Sequence, residues 1–170
     1  MRVKRVRITD LQAKKQRREK IVMLTAYDAA MARLLDGAGI DALLVGDSVG
    51  MVMLGHGSTL PVTLDAMVHH TSAVSRAAGR ALVVADMPFL TYQVTVPDAI
   101  RNAGRLLQEG GAAAVKVEGG RLIVDVVRRL VEIGIPVMGH LGVRPQSVHQ
   151  LGGYARRGTE PREAEAIVAD

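Results

Sequence analysis

The chain of 170 residues has no cysteine and no tryptophan, and only one phenylalanine and three tyrosines. Without cysteine there is no disulfide scaffold, no thiol nucleophile and no thiolate metal site. No run of 18 apolar residues occurs, so no segment is expected to span a membrane. The N-terminus is basic but lacks the apolar stretch of a secretory signal. Residues 1–20 also contain no serine, which weighs against a mitochondrial presequence. A cytoplasmic location follows as the expectation. What is present is an apolar fraction of 48% spread along the chain, with 23% charged residues. That is enough to bury a core and too apolar for a disordered chain.

The net charge of +5 suggests a polyanion partner until it is divided along the chain. Residues 1–20 hold nine of the 22 Lys/Arg and two of the 17 Asp/Glu, a net of +7, so the remaining residues carry a net of −2. The basicity belongs to one segment and not to a face of the domain. Thr9 or Asp10 can cap a helix from Leu11 to Lys20. This segment reads as a solvated helix or a subunit-contact arm. No aromatic residue interleaves its charges for base stacking, and no nucleic-acid partner is expected. Two units result: a basic helical segment, 1–20, and a domain, 21–170.

The domain repeats one pattern. Apolar runs at Ile21–Asp28, Asp41–Ser48, Ala81–Phe89, Ala112–Gly119 and Ile135–Leu141 are continuous rather than alternating. Such runs suit parallel strands covered on both faces. Helical stretches intervene at Met31–Asp36, Leu64–Ala78, Asp98–Gln108 and Arg121–Ile133, and another begins near Glu160. Threonine or proline precedes several of them and glycine follows, the asymmetry expected of helix ends. Five β-α units predict an α/β fold, either an open doubly wound sheet or part of a (βα)8 TIM barrel. The first strand leads into no Gly-x-Gly-x-x-Gly turn, which disfavours a nucleotide-binding sheet. A whole barrel takes roughly 250 residues, so the expectation is an incomplete barrel of about five units.

Four successive strands finish in an ionisable residue: Asp47, Asp86, Glu118 and His140. In parallel α/β folds the carboxyl ends of the strands carry the ligand site. Three acids closing neighbouring strands repel strongly unless a cation lies among them. All-oxygen donors favour a hard ion, Mg²⁺ above all. Lys116 stands two residues before Glu118, so both point to one face while Val115 and Val117 face the helices. A lysine there suits an anionic substrate; the plainer alternative is an ion pair with Glu118. His140 can contact a substrate or support the metal ligands. A long glycine-rich loop, Gly50–Thr63, follows the second strand, and His56, His69 and His70 show no ligand spacing.

Several of these segments resemble one family, ketopantoate hydroxymethyltransferase. The motifs are Thr25-Ala26-Tyr27-Asp28, Val45-Gly46-Asp47-Ser48-Val49-Gly50-Met51, Ser58–Thr63, Ala85-Asp86-Met87-Pro88-Phe89, Val115-Lys116-Val117-Glu118-Gly119-Gly120, and Gly139-His140-Leu141-Gly142 through Pro145–Val148 to Gly152-Gly153-Tyr154. The resemblance implies a (βα)8 barrel in a homo-oligomer, commonly a decamer. The implied reaction, a step towards pantothenate, moves a hydroxymethyl group from 5,10-methylenetetrahydrofolate to 3-methyl-2-oxobutanoate, giving 2-dehydropantoate. It also implies one Mg²⁺ per subunit at Asp47, Asp86 and Glu118, in part through water, with the oxo acid contacted by Asp47, Ser48, Asp86 and Lys116. The family's general-base glutamate is expected beyond Asp170, with the last three β-α units, so no catalytic base is assigned within the chain. Two alternatives stand: a Mg²⁺-dependent lyase or mutase of the isocitrate lyase and phosphonopyruvate type, whose cysteine-bearing loop has no counterpart here, and an inactive fragment.

Overall fold

A computed structural model describes residues 4–170. The first three residues of the expected basic segment lie outside the described residues. Helix α1 covers Ile8–Gln16, followed by β1 (Met23–Thr25), α2 (Ala29–Gly37) and β2 (Ala42–Val45). A short helix α3 (Val49–Val52) leads to α4 (Leu64–Ala77), β3 (Leu82–Asp86), α5 (Val96–Gln108) and β4 (Ala114–Glu118). A 3₁₀ turn, Arg121–Ile123, opens α6 (Val124–Glu132); then come β5 (Val137–His140), a 3₁₀ turn Pro145–Ser147, α7 (Val148–Leu151) and α8 (Pro161–Ala169).

All five strands are parallel and lie in the order β1-β2-β3-β4-β5. A doubly wound sheet reverses its strand order at a switch point. This sheet does not, so its topology is that of an incomplete barrel. The strands are shorter than the apolar runs that announce them, and β3, β4 and β5 end on their polar residues Asp86, Glu118 and His140.

The two faces of the sheet separate by residue parity, as the two-residue period of a strand requires. Leu43, Val45, Val83, Ala85, Val115 and Val117 pack outward with Met67, Val74, Ala103, Leu106 and Leu130 of the helices. Each fully buried side chain of this size contributes roughly 1.5–3 kcal/mol. Ala42, Leu82, Val84 and Ala114 form a second cluster on the inner face. The helices start where local chemistry satisfies their free N–H groups. Asp28 accepts from the Met31 N–H, Thr63 from Ala66 and Thr95 from Asp98. Thr95 thereby starts α5 two residues earlier than Pro97 alone suggests.

The N-terminal helix differs from expectation in two ways. It starts at Ile8, not Leu11, and ends at Gln16. Asp10 does not precede the helix; it lies in the first turn, and its carboxylate accepts the Arg7 N–H at 2.9 Å. The helix is also not wholly solvated. Val6, Ile8 and Leu11 are half-buried against the inner-face cluster, and the Val6 N–H donates to the Arg80 carbonyl at 2.8 Å.

Asp41 joins this helix to the sheet. Its Oδ1 lies 2.7 Å from Lys14 Nζ and 3.6 Å from the Arg80 guanidinium, and its Oδ2 accepts the Val22 N–H at 3.0 Å. Burial alone would raise the Asp41 pKa, but Lys14, the Val22 amide and Arg80 together hold it below the ordinary carboxylate value. A lowered folded-state pKa gives stability that is complete above the unfolded pKa, near 4, and is lost as the pH falls through the folded value. Asp41→Asn is expected to reduce the unfolding free energy at pH 7 by roughly 1–3 kcal/mol. Urea titrations between pH 7 and pH 2.5 should show the gap to the wild type closing with acid; a gap constant with pH would refute the role.

Candidate active site

Strand register builds the site. Across β3 and β4, Asp86 stands opposite Lys116; across β4 and β5, Glu118 stands opposite His140. Lys116 Nζ accordingly lies 2.8 Å from Asp86 Oδ1, and His140 Nδ1 lies 3.1 Å from Glu118 Oε1. A carboxylate can only accept, so the His140 nitrogen facing it carries the proton. Asp47 sits in the turn after β2, and its own N–H donates to Asp86 Oδ2 at 3.0 Å. Glycine at 46 leaves room for the Ser48 hydroxyl, since a Cβ there would stand 2.8 Å from Ser48 Oγ and displace it.

Asp47, Ser48, Asp86, Lys116, Glu118 and His140 all line one cavity of about 420 Å³, beside the apolar side chains of Met23, Leu44 and Met138. The structure thus brings together every site residue named from the sequence. Lys116 pairs with Asp86 and not with Glu118, although Glu118 is its neighbour in sequence. The register partner wins over the i+2 position because it lies directly across the ladder.

The three acids are almost wholly buried; Asp47 and Asp86 are each 3% exposed. Burial pushes the Asp47 pKa up and the nearby Glu118 charge adds to this, while a hydrogen bond from Gln146 opposes it. Burial pushes the Asp86 carboxyl up to about 6 against the pull of Lys116. Asp86 Oδ1 makes no hydrogen bond of acceptable geometry, although the ammonium is 2.8 Å away. Glu118 is engaged at both oxygens, Oε1 by His140 and Oε2 by the Gln146 N–H at 2.9 Å. Among the described residues no three Asp, Glu or His side chains form a ready-made cation cage. Asp86 is met at Oδ2 by the Asp47 amide and at Oδ1 by the Lys116 ammonium, while Asp47 is held by a side chain at one oxygen, Oδ2.

Four further residues shape the site and carry no periodic signal in the sequence. Gln146 and Tyr92 are buried between Asp47 and Glu118. The Tyr27 hydroxyl lies 2.8 Å from Ser48 Oγ, and His70 Nδ1 lies 2.7 Å from the Tyr27 carbonyl. His70 therefore acts behind the site; His69 stacks edge-on against it, with ring centres 5.3 Å apart.

A parallel barrel sheet with acids, a lysine and a histidine at its carboxyl end defines the class: an α/β-barrel protein with a polar rim site. Solved structures of similar fold agree. Two crystal forms of 2,3-dimethylmalate lyase, a PEP mutase/isocitrate lyase superfamily member, superpose with TM-scores of 0.61 and 0.62 over 95% of this chain and 66% and 58% of theirs. Their sequence identities of 18% and 20% extend the likeness to the fold alone. The chain belongs to the ketopantoate hydroxymethyltransferase family, whose profile matches residues 5–170. It is 60% identical over 166 residues to the 3-methyl-2-oxobutanoate hydroxymethyltransferase of Moorella thermoacetica, covering 98% of this chain and 62% of that one. The protein of the same name from Syntrophus aciditrophicus is 58% identical, covering 94% and 59%. The chain therefore spans about six-tenths of the length of the relatives it matches.

Tyr27 and Ser48 share a half-buried hydrogen bond whose loss costs about 1 kcal/mol. Tyr27→Phe should lower the urea midpoint accordingly without changing the m-value. An unchanged midpoint would mean that Ser48 finds another partner.

Proposed function

We propose that this chain carries the metal- and oxo-acid-binding part of a 3-methyl-2-oxobutanoate hydroxymethyltransferase. One observation carries the reading: Asp47, Ser48, Asp86, Lys116, Glu118 and His140 surround a single cavity. They do so in a chain 60% identical to a protein of that name.

The donor set suits a hard divalent cation. Its donors are oxygens, and three carboxylates face one lysine around the cavity. Asp47, Asp86 and Glu118 would hold Mg²⁺, in part through water; an ion that keeps several waters needs no three-carboxylate cage. Magnesium, when bound, supplies Lewis-acid polarisation of the 2-oxo group, which acidifies the adjacent C3–H. Lys116 places positive charge beside the anionic substrate, and Ser48, steadied by Tyr27, offers a hydroxyl to its carboxylate. Met23, Leu44 and Met138 give the substrate's isopropyl carbons an apolar wall.

In the complete reaction a base takes the C3 proton. A C–C bond forms to the methylene carbon of 5,10-methylenetetrahydrofolate, the bonds from that carbon to folate nitrogen break, and water supplies the hydroxyl oxygen. The family resemblance implies that this base is a glutamate on a later strand, beyond Asp170. The reading further takes residues 21–170 as a partial barrel domain preceded by a basic segment, 1–20. It takes the assembly as a cytoplasmic homo-oligomer. No helix among the described residues is long and apolar enough to cross a membrane.

Titration calorimetry of the chain with 3-methyl-2-oxobutanoate is expected to show binding that requires Mg²⁺. Asp47→Ala and Lys116→Ala should each weaken it roughly tenfold or more, the worth of one charge-assisted contact. Equal binding with and without Mg²⁺, or none in either case, would overturn the proposal.

A further inference from the structure

Gln146 lies on the 3₁₀ turn after β5, outside the strand ends that carry the acids, yet it touches more of the site than any of them. Its Nε2 donates to Asp47 Oδ2 and to the Met87 carbonyl, each at 2.9 Å. Its Oε1 accepts from the Tyr92 hydroxyl at 2.8 Å and from Gln93 Nε2 at 3.1 Å. Its backbone N–H donates to Glu118 Oε2. The side chain thus uses both donors and both lone pairs of its amide.

The orientation of this amide is not free. Asp47 Oδ2 and the Met87 carbonyl can only accept, so both must face the NH₂. The oxygen then faces Tyr92. The Tyr92 hydroxyl accepts the Glu118 N–H at 2.9 Å and has two acceptors for its single proton, Gln146 Oε1 at 2.8 Å and the Glu118 carbonyl at 3.1 Å, of which Gln146 is the nearer. Donation therefore runs one way, from Tyr92 to Gln146 to Asp47, and from the Asp47 amide to Asp86. Tyr92 is fully buried and Gln146 is 6% exposed, so water is a poor substitute for either. A group that can only donate towards Asp47 favours its charged form and fixes one oxygen, leaving the other for the cavity.

We propose that Gln146, locked by Tyr92, is a positioning residue that sets the Asp47 and Glu118 carboxylates for a divalent cation and the oxo acid it accompanies. This rests on the function proposed above. It adds a specific residue on a separate loop, through which β2, β3 and β4 are tied at the rim.

The test uses Mn²⁺ as a paramagnetic reporter, followed by water-proton relaxation on the whole chain. Gln146→Ala should weaken Mn²⁺ binding roughly 10–100-fold, the usual effect of losing a residue that orients metal ligands. Tyr92→Phe, which removes one hydroxyl and keeps the ring, should weaken it severalfold in the same direction. Metal-free melting curves provide the control: a purely structural residue lowers the melting temperature and leaves the affinity of the folded protein unchanged. Selective ¹⁵N-glutamine labelling gives a second readout. The Gln146 side-chain amide should exchange slowly in the wild type, shift when Mg²⁺ is added, and lose its protection in Tyr92→Phe. Folded variants that bind Mn²⁺ within twofold of the wild type would overturn the proposal while leaving the proposed function intact. If Gln146→Ala does not fold, Tyr92→Phe decides by the same criterion. A wild type that binds no Mn²⁺ would instead remove the proposed function, and this inference with it.

Discussion

Three carboxylates withdrawn from water at one end of a small sheet are the constraint around which this structure is organised. An isolated buried carboxylate is costly unless donors surround it. Asp86 has the Asp47 amide and the Lys116 ammonium, Asp47 has Gln146, and Glu118 has His140 and the Gln146 amide. The neutralisation is uneven, and the unevenness is informative. Asp47 and Asp86 are left with raised pKa values. Among the described residues, Lys116 is the one lysine or arginine lining the cavity that also holds three acids. Such a site is a poor stabilising device, with more buried negative than positive charge.

Register is what makes the arrangement cheap to specify. In a parallel ladder, opposing residues point to the same face, so a lysine opposite an aspartate and a histidine opposite a glutamate meet without special loops. The hydrophobic patterning that buries Val115 and Val117 against the helices automatically turns Lys116 and Glu118 the other way. A one-residue slip would exchange the two sets. Core and site therefore protect each other's register.

Most of the fold and all of the strand-end residues were legible in the sequence for this reason. Continuous Val/Leu/Ala runs ending in Asp, Glu or His mark strands, and the two-residue spacing of Lys116 and Glu118 marks a shared face. The sequential strand order then separates a barrel sheet from a doubly wound one. What escaped the sequence reading has no periodicity to betray it. Gln146 is a single amide in a turn, and only coordinates show that it reaches Asp47 across ninety-nine positions of chain. Tyr92 lies outside any apolar run although it is fully buried. The start of α1 is hidden in the sequence because Asp10 serves the helix from inside its first turn. The charge of that segment also concealed Val6, Ile8 and Leu11, whose contacts depend on strands far along the chain.

Asp41 and Asp86 show how one residue type serves opposite ends of the same sheet. Asp41 stands just before β2 and Asp86 at the end of β3. Both are nearly inaccessible to water. Asp41 is met by Lys14, Arg80 and a backbone amide, and its pKa falls. Burial, with the Asp47 charge adding to it, raises the Asp86 pKa to about 6 against the opposing pull of one ammonium and one amide. The first environment is closed: its charges are matched, and it fastens α1 over the inner face. The second is open in charge and lines a cavity. In α/β barrels, polar residues at the amino end of the strands serve stability and those at the carboxyl end serve chemistry. The division here follows from counting cations around each carboxylate: the amino end of the sheet is balanced, and the rim is where acids outnumber cations.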